Sequence, residues 1–207
     1  MANAVDSNLT WHSGTITRAD REKLLGQKGV TVWFTGLSAS GKSTIACLLE
    51  ELLTQRKKHV YRLDGDNIRM GLNQNLGFSA EDRSENIRRI GEVAKLFVDA
   101  GVIVLASFVS PYRKDRDAVR ANLGGGDFVE VYVEVSVEEA TRRDPKGLYK
   151  KAIAGQIKGF TGIDDPYEPP LTAEIVLRTE STDPPSAAEL LLTYLENGGY
   201  LRAPERL

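Results

Sequence analysis

One stretch limits the folds open to this chain more than any other. Val30-Thr-Val-Trp-Phe-Thr35 is an apolar, β-prone run. Gly36-Leu-Ser-Ala-Ser-Gly-Lys-Ser43 follows and matches the phosphate-loop pattern G-x-x-x-x-G-K-[ST] at every fixed position. Ile45, Leu48, Leu49, Leu52 and Leu53 then recur at the spacing of a core-facing helix. Strand, glycine turn and helix in this order form a polyphosphate cradle. Gly36 and Gly41 let the backbone curl so that its N–H groups point inward. The helix start adds its positive dipole end. Lys42 supplies a mobile cation, and the Ser43 hydroxyl suits a Mg²⁺ ligand. The loop from Gly36 through Leu37, Ser38, Ala39, Ser40 and Gly41 to Thr44 is therefore expected to hold ATP.

The rest of the chain fits one α/β domain. It has 207 residues, 41% of them hydrophobic, enough for a full core. Its 27 basic and 29 acidic residues give a net charge of −2, which argues against nucleic acid as the main partner. The single Cys47 rules out an intrachain disulfide and fits a reducing compartment. His12 and His59 lack metal-ligand partners at useful spacing. No apolar run approaches the ~20 residues of a membrane span. Met1 to Thr10 lack the parts of a signal peptide. The expected location is cytoplasmic, or the plastid stroma if a transit peptide has been removed.

Residues 1–28 read as a loose tail and a short helix opened by Thr17 and Asp20. That helix either covers an edge of the domain or contacts a second copy. Residues 29–207 read as the single domain. His59 to Leu63 is a second strand ending in Asp64-Gly-Asp66-Asn67, where α/β sheets bind ligands. Ser79 opens a long helix with Ile87, Ile90, Ala94 and Phe97 on its buried side. Val102 to Phe108 reads as a central strand, and Ser110-Pro111 as the cap of the next helix, ending at Leu123. Val129, Val131, Val133 and Val135 alternate with Glu130, Tyr132 and Glu134, a strand with one wetter face. Residues 144–170 have no clean period and read as a lid. Glu174 to Thr179 is a last strand and Ser186 to Glu196 a last helix.

The strand 102–108 ends without an acid, so Asp64 is the best-placed carboxylate for base work or metal binding. Asp66 and Asn67 are equally readable as turn caps. Arg69, Arg83 and Lys146 lie in loops or at element starts, where guanidinium and ammonium groups gather to hold phosphate or sulfate. Phe78 and Phe160 read either as core or as stacking partners for a purine. Asp144-Pro-Lys-Gly147 spells D-x-x-G, but N-K-x-D is absent, which argues against a guanine-specific switch.

Six motifs together resemble the adenosine 5′-phosphosulfate (APS) kinase family. They are the phosphate loop, Leu63-Asp-Gly-Asp-Asn-Ile-Arg69, Asp82-Arg-Ser-Glu-Asn-Ile-Arg-Arg89, Ser107-Phe-Val-Ser-Pro-Tyr-Arg113, Arg143-Asp-Pro-Lys-Gly-Leu-Tyr-Lys-Lys151 and Lys158-Gly-Phe-Thr-Gly-Ile163. The resemblance implies a P-loop nucleoside-triphosphate hydrolase type of fold: a five-stranded parallel sheet flanked by helices, with a lid, usually in a homodimer. It implies that ATP and Mg²⁺ are used to phosphorylate the ribose 3′-hydroxyl of APS, the second step of sulfate activation. By motif match Asp64 is the base and, with Ser43, a metal ligand. Arg69, Arg83 and Asn86 hold the phosphosulfate. Phe78 and Phe160 sandwich the adenine. Asp66, Val109, Ser110, Lys146 and Gly159 complete the pocket. Ser110 matches a serine described in some members as a phosphorylated intermediate; direct in-line transfer needs no such step, so Ser110 is assigned to binding first. For the ATP adenine, no motif matches, and Arg142 and the loop after the last strand near Thr182 are the candidates. A sugar or shikimate kinase and a non-catalytic nucleotide-binding module are the competing readings.

Overall fold

The computed structural model describes residues 9, 10 and 12–201. Its centre is β1 (Val30–Thr35), buried along its whole length. β2 (Val60–Asp64), β3 (Ile103–Ser107), β4 (Phe128–Glu134) and β5 (Ile175–Arg178) join it in one parallel sheet of order β2-β3-β1-β4-β5. Parallel neighbours need crossover helices, and these cover both faces. Val30, Val32 and Phe34 of β1 pack beneath α2 (Lys42–Gln55) and α8 (Pro184–Asn197) with Ile45, Leu49, Leu53 and Leu191. Trp33 faces the other way, toward α4 (Ala80–Asp99) and α5 (Arg113–Leu123) with Ile90, Ala94 and Val119. β1 leads to β2 on one side and pairs with β4 on the other, so ligand space opens at the carboxyl ends of β1, β2 and β3.

Before β1, α1 (Arg18–Leu25) starts with a full capping box between Thr17 and Asp20. It docks on the domain, as the edge-covering reading expects: Arg18 Nη2 donates to Asp127 at 2.8 Å and Arg21 Nη1 to Asp99 at 2.8 Å. The first eight residues of the expected tail lie outside the described residues. α3 (Gly65–Arg69) follows β2 and is capped by Asp64.

Four expectations are corrected. α5 is capped by Tyr112, not Ser110. Ser110 instead has φ 41° and is buried, with its hydroxyl accepting from Trp33 Nε1 at 3.1 Å. The β3–α5 connection is held at the end of β1, where Thr35 Oγ1 donates to Val109 O at 2.8 Å. α8 begins two residues early, because Asp183 caps it through Ser186 N and prolines occupy its first turn. The wetter face of β4 holds at the half-buried Tyr132 and Glu134 but not at Glu130, which is buried beside Arg116 of α5 at 2.7 Å. The 144–170 segment contains a packed element, α7 (Leu148–Ile153), with Tyr149 and Ala152 buried. Six residues are too few to display a period, and what starts the helix is the Asp144 carboxylate accepting from Tyr149 N and Lys150 N. α6 (Val137–Arg143) lies just before it.

Candidate active site

The phosphate loop is wound as the glycine pattern requires. Gly36 has φ 148° and Gly41 φ 100°, and a Cβ on Gly36 would fall 2.4 Å from Val133 O. Lys42 is buried inside the curl. Its Nζ donates to Gly36 O at 2.9 Å, Leu37 O at 2.6 Å and Ser40 Oγ at 3.3 Å. Burial pushes the Lys42 ammonium down to about 7, with Asp64 opposing that shift.

Asp64 ends β2 opposite Ser107 of β3. Its Oδ2 accepts from Ser43 Oγ at 2.6 Å, and its Oδ1 accepts from Asp66 N at 3.2 Å. Arg62, two residues earlier on the same strand face, lies 3.7 Å from Asp64 Oδ2 and donates to Glu50 of α2 at 3.1 Å. The strand-end carboxylate and the loop lysine thus share one corner. Asp66 reaches across to Lys146 of the lid, forming an ion pair.

From this corner a cavity of about 1050 Å³ runs under the lid. Ser38, Ala39, Gly41, Lys42, Ser43, Thr44, Asp64 and Asp66 line one end. Arg69, Phe78, Arg83, Asn86, Val109, Ser110, Lys146, Gly159 and Phe160 line the remainder. Phe78 is 68% exposed, which removes the core reading, and its ring lies 4.4 Å from the Arg69 guanidinium. Phe160 packs edge-on against Tyr149 at 4.9 Å. Arg83 fastens α4 to the lid: Nε donates to Phe78 O at 2.9 Å, and its Nη atoms reach Thr161 Oγ1 and Gly159 O. The lid turn is closed by Asp164 accepting from Gly159 N and Phe160 N.

Gly36, Leu37 and Ser40 stand behind this lining and hold Lys42 in place. Arg142 and Thr182 are not brought to the cavity. Arg142 is a surface residue paired with Glu139 at 2.6 Å, and Thr182 caps a turn through its N–H to Arg178 O. Arg62, Arg143 and Thr161 line the cavity without having been singled out. Strand alternation from Asp64 points to Arg62; nothing local points to Thr161. Among the described residues no cluster of three or more His, Cys, Asp or Glu forms a metal site. No described helix is long and apolar enough to cross a membrane.

The sequence profile of the Adenylylsulphate kinase family matches residues 28–178. The chain belongs to that family. It is 60% identical over 198 residues to adenylyl-sulfate kinase 1, chloroplastic, of Arabidopsis thaliana, covering 95% of this chain and 72% of the relative. It is 58% identical over 191 residues to the adenylyl-sulfate kinase of Staphylococcus haemolyticus, covering 92% and 96%. The Mycobacterium tuberculosis APS kinase, solved in complex with AMPPNP and APS, superposes with TM-score 0.78 at 46% identity over 82% of this chain and 99% of that one. As a family member, the chain is a P-loop kinase of sulfate activation.

Proposed function

We propose that this protein transfers the γ-phosphoryl group of ATP to the ribose 3′-hydroxyl of APS by direct in-line displacement. The observation that carries the reading is the Ser43–Asp64 contact of 2.6 Å at the mouth of the Lys42 loop, in a cavity that continues to Arg69, Arg83 and Asn86. The loop takes the triphosphate. The far end takes the sulfated nucleotide, with Arg69 and Arg83 beside its anionic end and Phe78 and Phe160 beside its adenine. Asp64 accepts the 3′-hydroxyl proton as the new O–P bond forms. The bond from the γ-phosphorus to the β–γ bridging oxygen breaks, and its electron pair leaves with ADP. Ser110 binds and positions; no phosphoserine is needed. Lys42 moves from its loop carbonyls to the transferring phosphate.

The Ser43 hydroxyl and Asp64 carboxylate are hard oxygen donors on adjoining elements, a set that fits Mg²⁺ completed by phosphate oxygens and water. Bound there, the ion supplies charge neutralisation. A homodimer is proposed on the family resemblance, to be checked by sedimentation.

The test is to mix protein, Mg·ATP and APS and detect 3′-phosphoadenosine 5′-phosphosulfate. Gluconate, shikimate and nucleosides serve as competing acceptors. Turnover of one of these with none of APS overturns the reading.

A further inference from the structure

The cavity wall contains a chain of hydrogen bonds with a defined direction, buried at its two amides and half-buried at its guanidinium end. Asn86 on α4 lines the substrate end and is almost wholly buried. Its Oδ1 accepts from Asn73 Nδ2 at 2.9 Å. Asn73 is fully buried in the loop after α3, and its own Oδ1 accepts from Arg89 Nη1 at 3.4 Å. The same Nη1 also donates to Asn75 Oδ1 at 2.9 Å and Leu72 O at 3.4 Å, and Glu85 holds Arg89 from the other side, Nε to Oε1 at 2.8 Å, so the guanidinium is fixed against this loop.

An amide presents either a donor or an acceptor, depending on which way it is turned. A guanidinium can only donate. Arg89 therefore determines the direction of the whole chain. Its N–H meets the Asn73 oxygen, Asn73 then offers N–H to the Asn86 oxygen, and Asn86 is left with its Nδ2 toward the cavity. Turning Asn86 alone would set two N–H groups against each other. Turning both amides would set Asn73 Nδ2 against Arg89. Both alternatives bury unpaired donors.

We propose that Asn73 and Arg89 are positioning residues that hold the Asn86 amide with its N–H toward the substrate, so that this position selects an acceptor such as a phosphosulfate oxygen. The inference rests on the reading above, in which the Asn86 end of the cavity takes APS. Asn73 is not a catalytic residue; it acts through Asn86.

The test is a double-mutant cycle read on KM. Asn73→Asp is nearly isosteric, and its carboxylate faces Arg89. An ionised Asp at position 73 only accepts, so Asn86 must turn its N–H inward and show oxygen to the substrate. The KM for APS is expected to rise on the order of tenfold or more, as for loss of a hydrogen bond to a charged group, with the KM for ATP unchanged. In the Asn86→Ala background, Asn73→Asp should add nothing further. Multiplying effects in the double variant, or equal rises in both KM values, would overturn the proposal. If Asn86→Ala leaves the KM for APS unchanged, the substrate placement fails instead, and the relay with it. Should Asn73→Asp not fold, Arg89→Met runs the same cycle. It should raise the KM for APS selectively and only while Asn86 is present, and a rise that survives in Asn86→Ala would also overturn the proposal.

Discussion

Replacing Arg116 by Met should destabilise this protein more than any surface-charge change. Arg116 is 2% exposed, and each of three donors has a different partner. Nε reaches Glu130 Oε1 of β4, Nη1 reaches Ser110 O after β3, and Nη2 reaches Glu168 O at the end of the lid, all at 2.7 Å. Met fills similar volume but leaves a buried carboxylate and two carbonyls short of partners. Removing one member of a buried pair costs about 3–5 kcal/mol. Arg120 still reaches Glu130 Oε2 at 3.3 Å, which favours the lower end. A loss of about 3 kcal/mol is a large share of the ~5–15 kcal/mol that holds a domain together. At an m-value of about 2 kcal/mol/M it moves the urea midpoint by about 1.5 M. Arg56, exposed and paired with Glu196 at 2.9 Å, is the control, and Arg56→Met should cost at most about 1 kcal/mol. Adding Glu130→Leu to Arg116→Met should restore part of the loss, because the orphaned charge goes with it. The reasoning is refuted if Arg116→Met unfolds within 1 kcal/mol of the parent, or if Glu130→Leu worsens it additively.

Three further outcomes are expected. Asp64→Asn should lower kcat by about 10²–10⁴, the usual contribution of a positioned base, while AMPPNP binding measured by calorimetry persists; undiminished turnover would remove Asp64 from the proton transfer. Lys42 should give nucleotide binding a proton signature. With its folded value at about 7, the ligand-free ammonium is mostly neutral at pH 8, and a triphosphate restores its charge. AMPPNP should then take up close to one proton at pH 8 and fewer toward pH 6, seen as calorimetric heats that vary with buffer. The sign for folding agrees: between about 7 and the ordinary 10.5 the unfolded chain holds the extra proton, so the ligand-free protein gains stability as pH rises through that window. Gly36→Ala should abolish nucleotide binding, since its Cβ would lie 2.4 Å from Val133 O; Gly29→Ala, with 2.2 Å to Val98 O outside the cavity, should lower thermal stability and leave binding intact in the folded fraction.

What could be read from the chain was local. The phosphate loop is legible because a backbone with φ 148° at Gly36 and 100° at Gly41 admits few residue types. The α2 stripe is legible because burial on one side imposes a period, and β3 because burial on both faces demands an unbroken apolar run. Asp64 is legible because it ends the second strand, while the apolar run of β3 ends without an acid. α7 was hidden, since six residues show no period, and Ser110 was misread as a cap because Ser-Pro usually is one.

The amino-acid order alone determined the loop, the strand-end acid and the helices that carry them, because each depends on neighbours within a few residues. Only the folded chain decided what joins distant segments: Arg83 to Gly159 and Thr161, Arg116 to Glu130, Ser110 and Glu168, and Asn73 to Asn86. It likewise left Arg142 on the surface and buried Glu130. A buried polar group must find a partner wherever the sheet order happens to bring one, and strand order β2-β3-β1-β4-β5 is not written in any single segment.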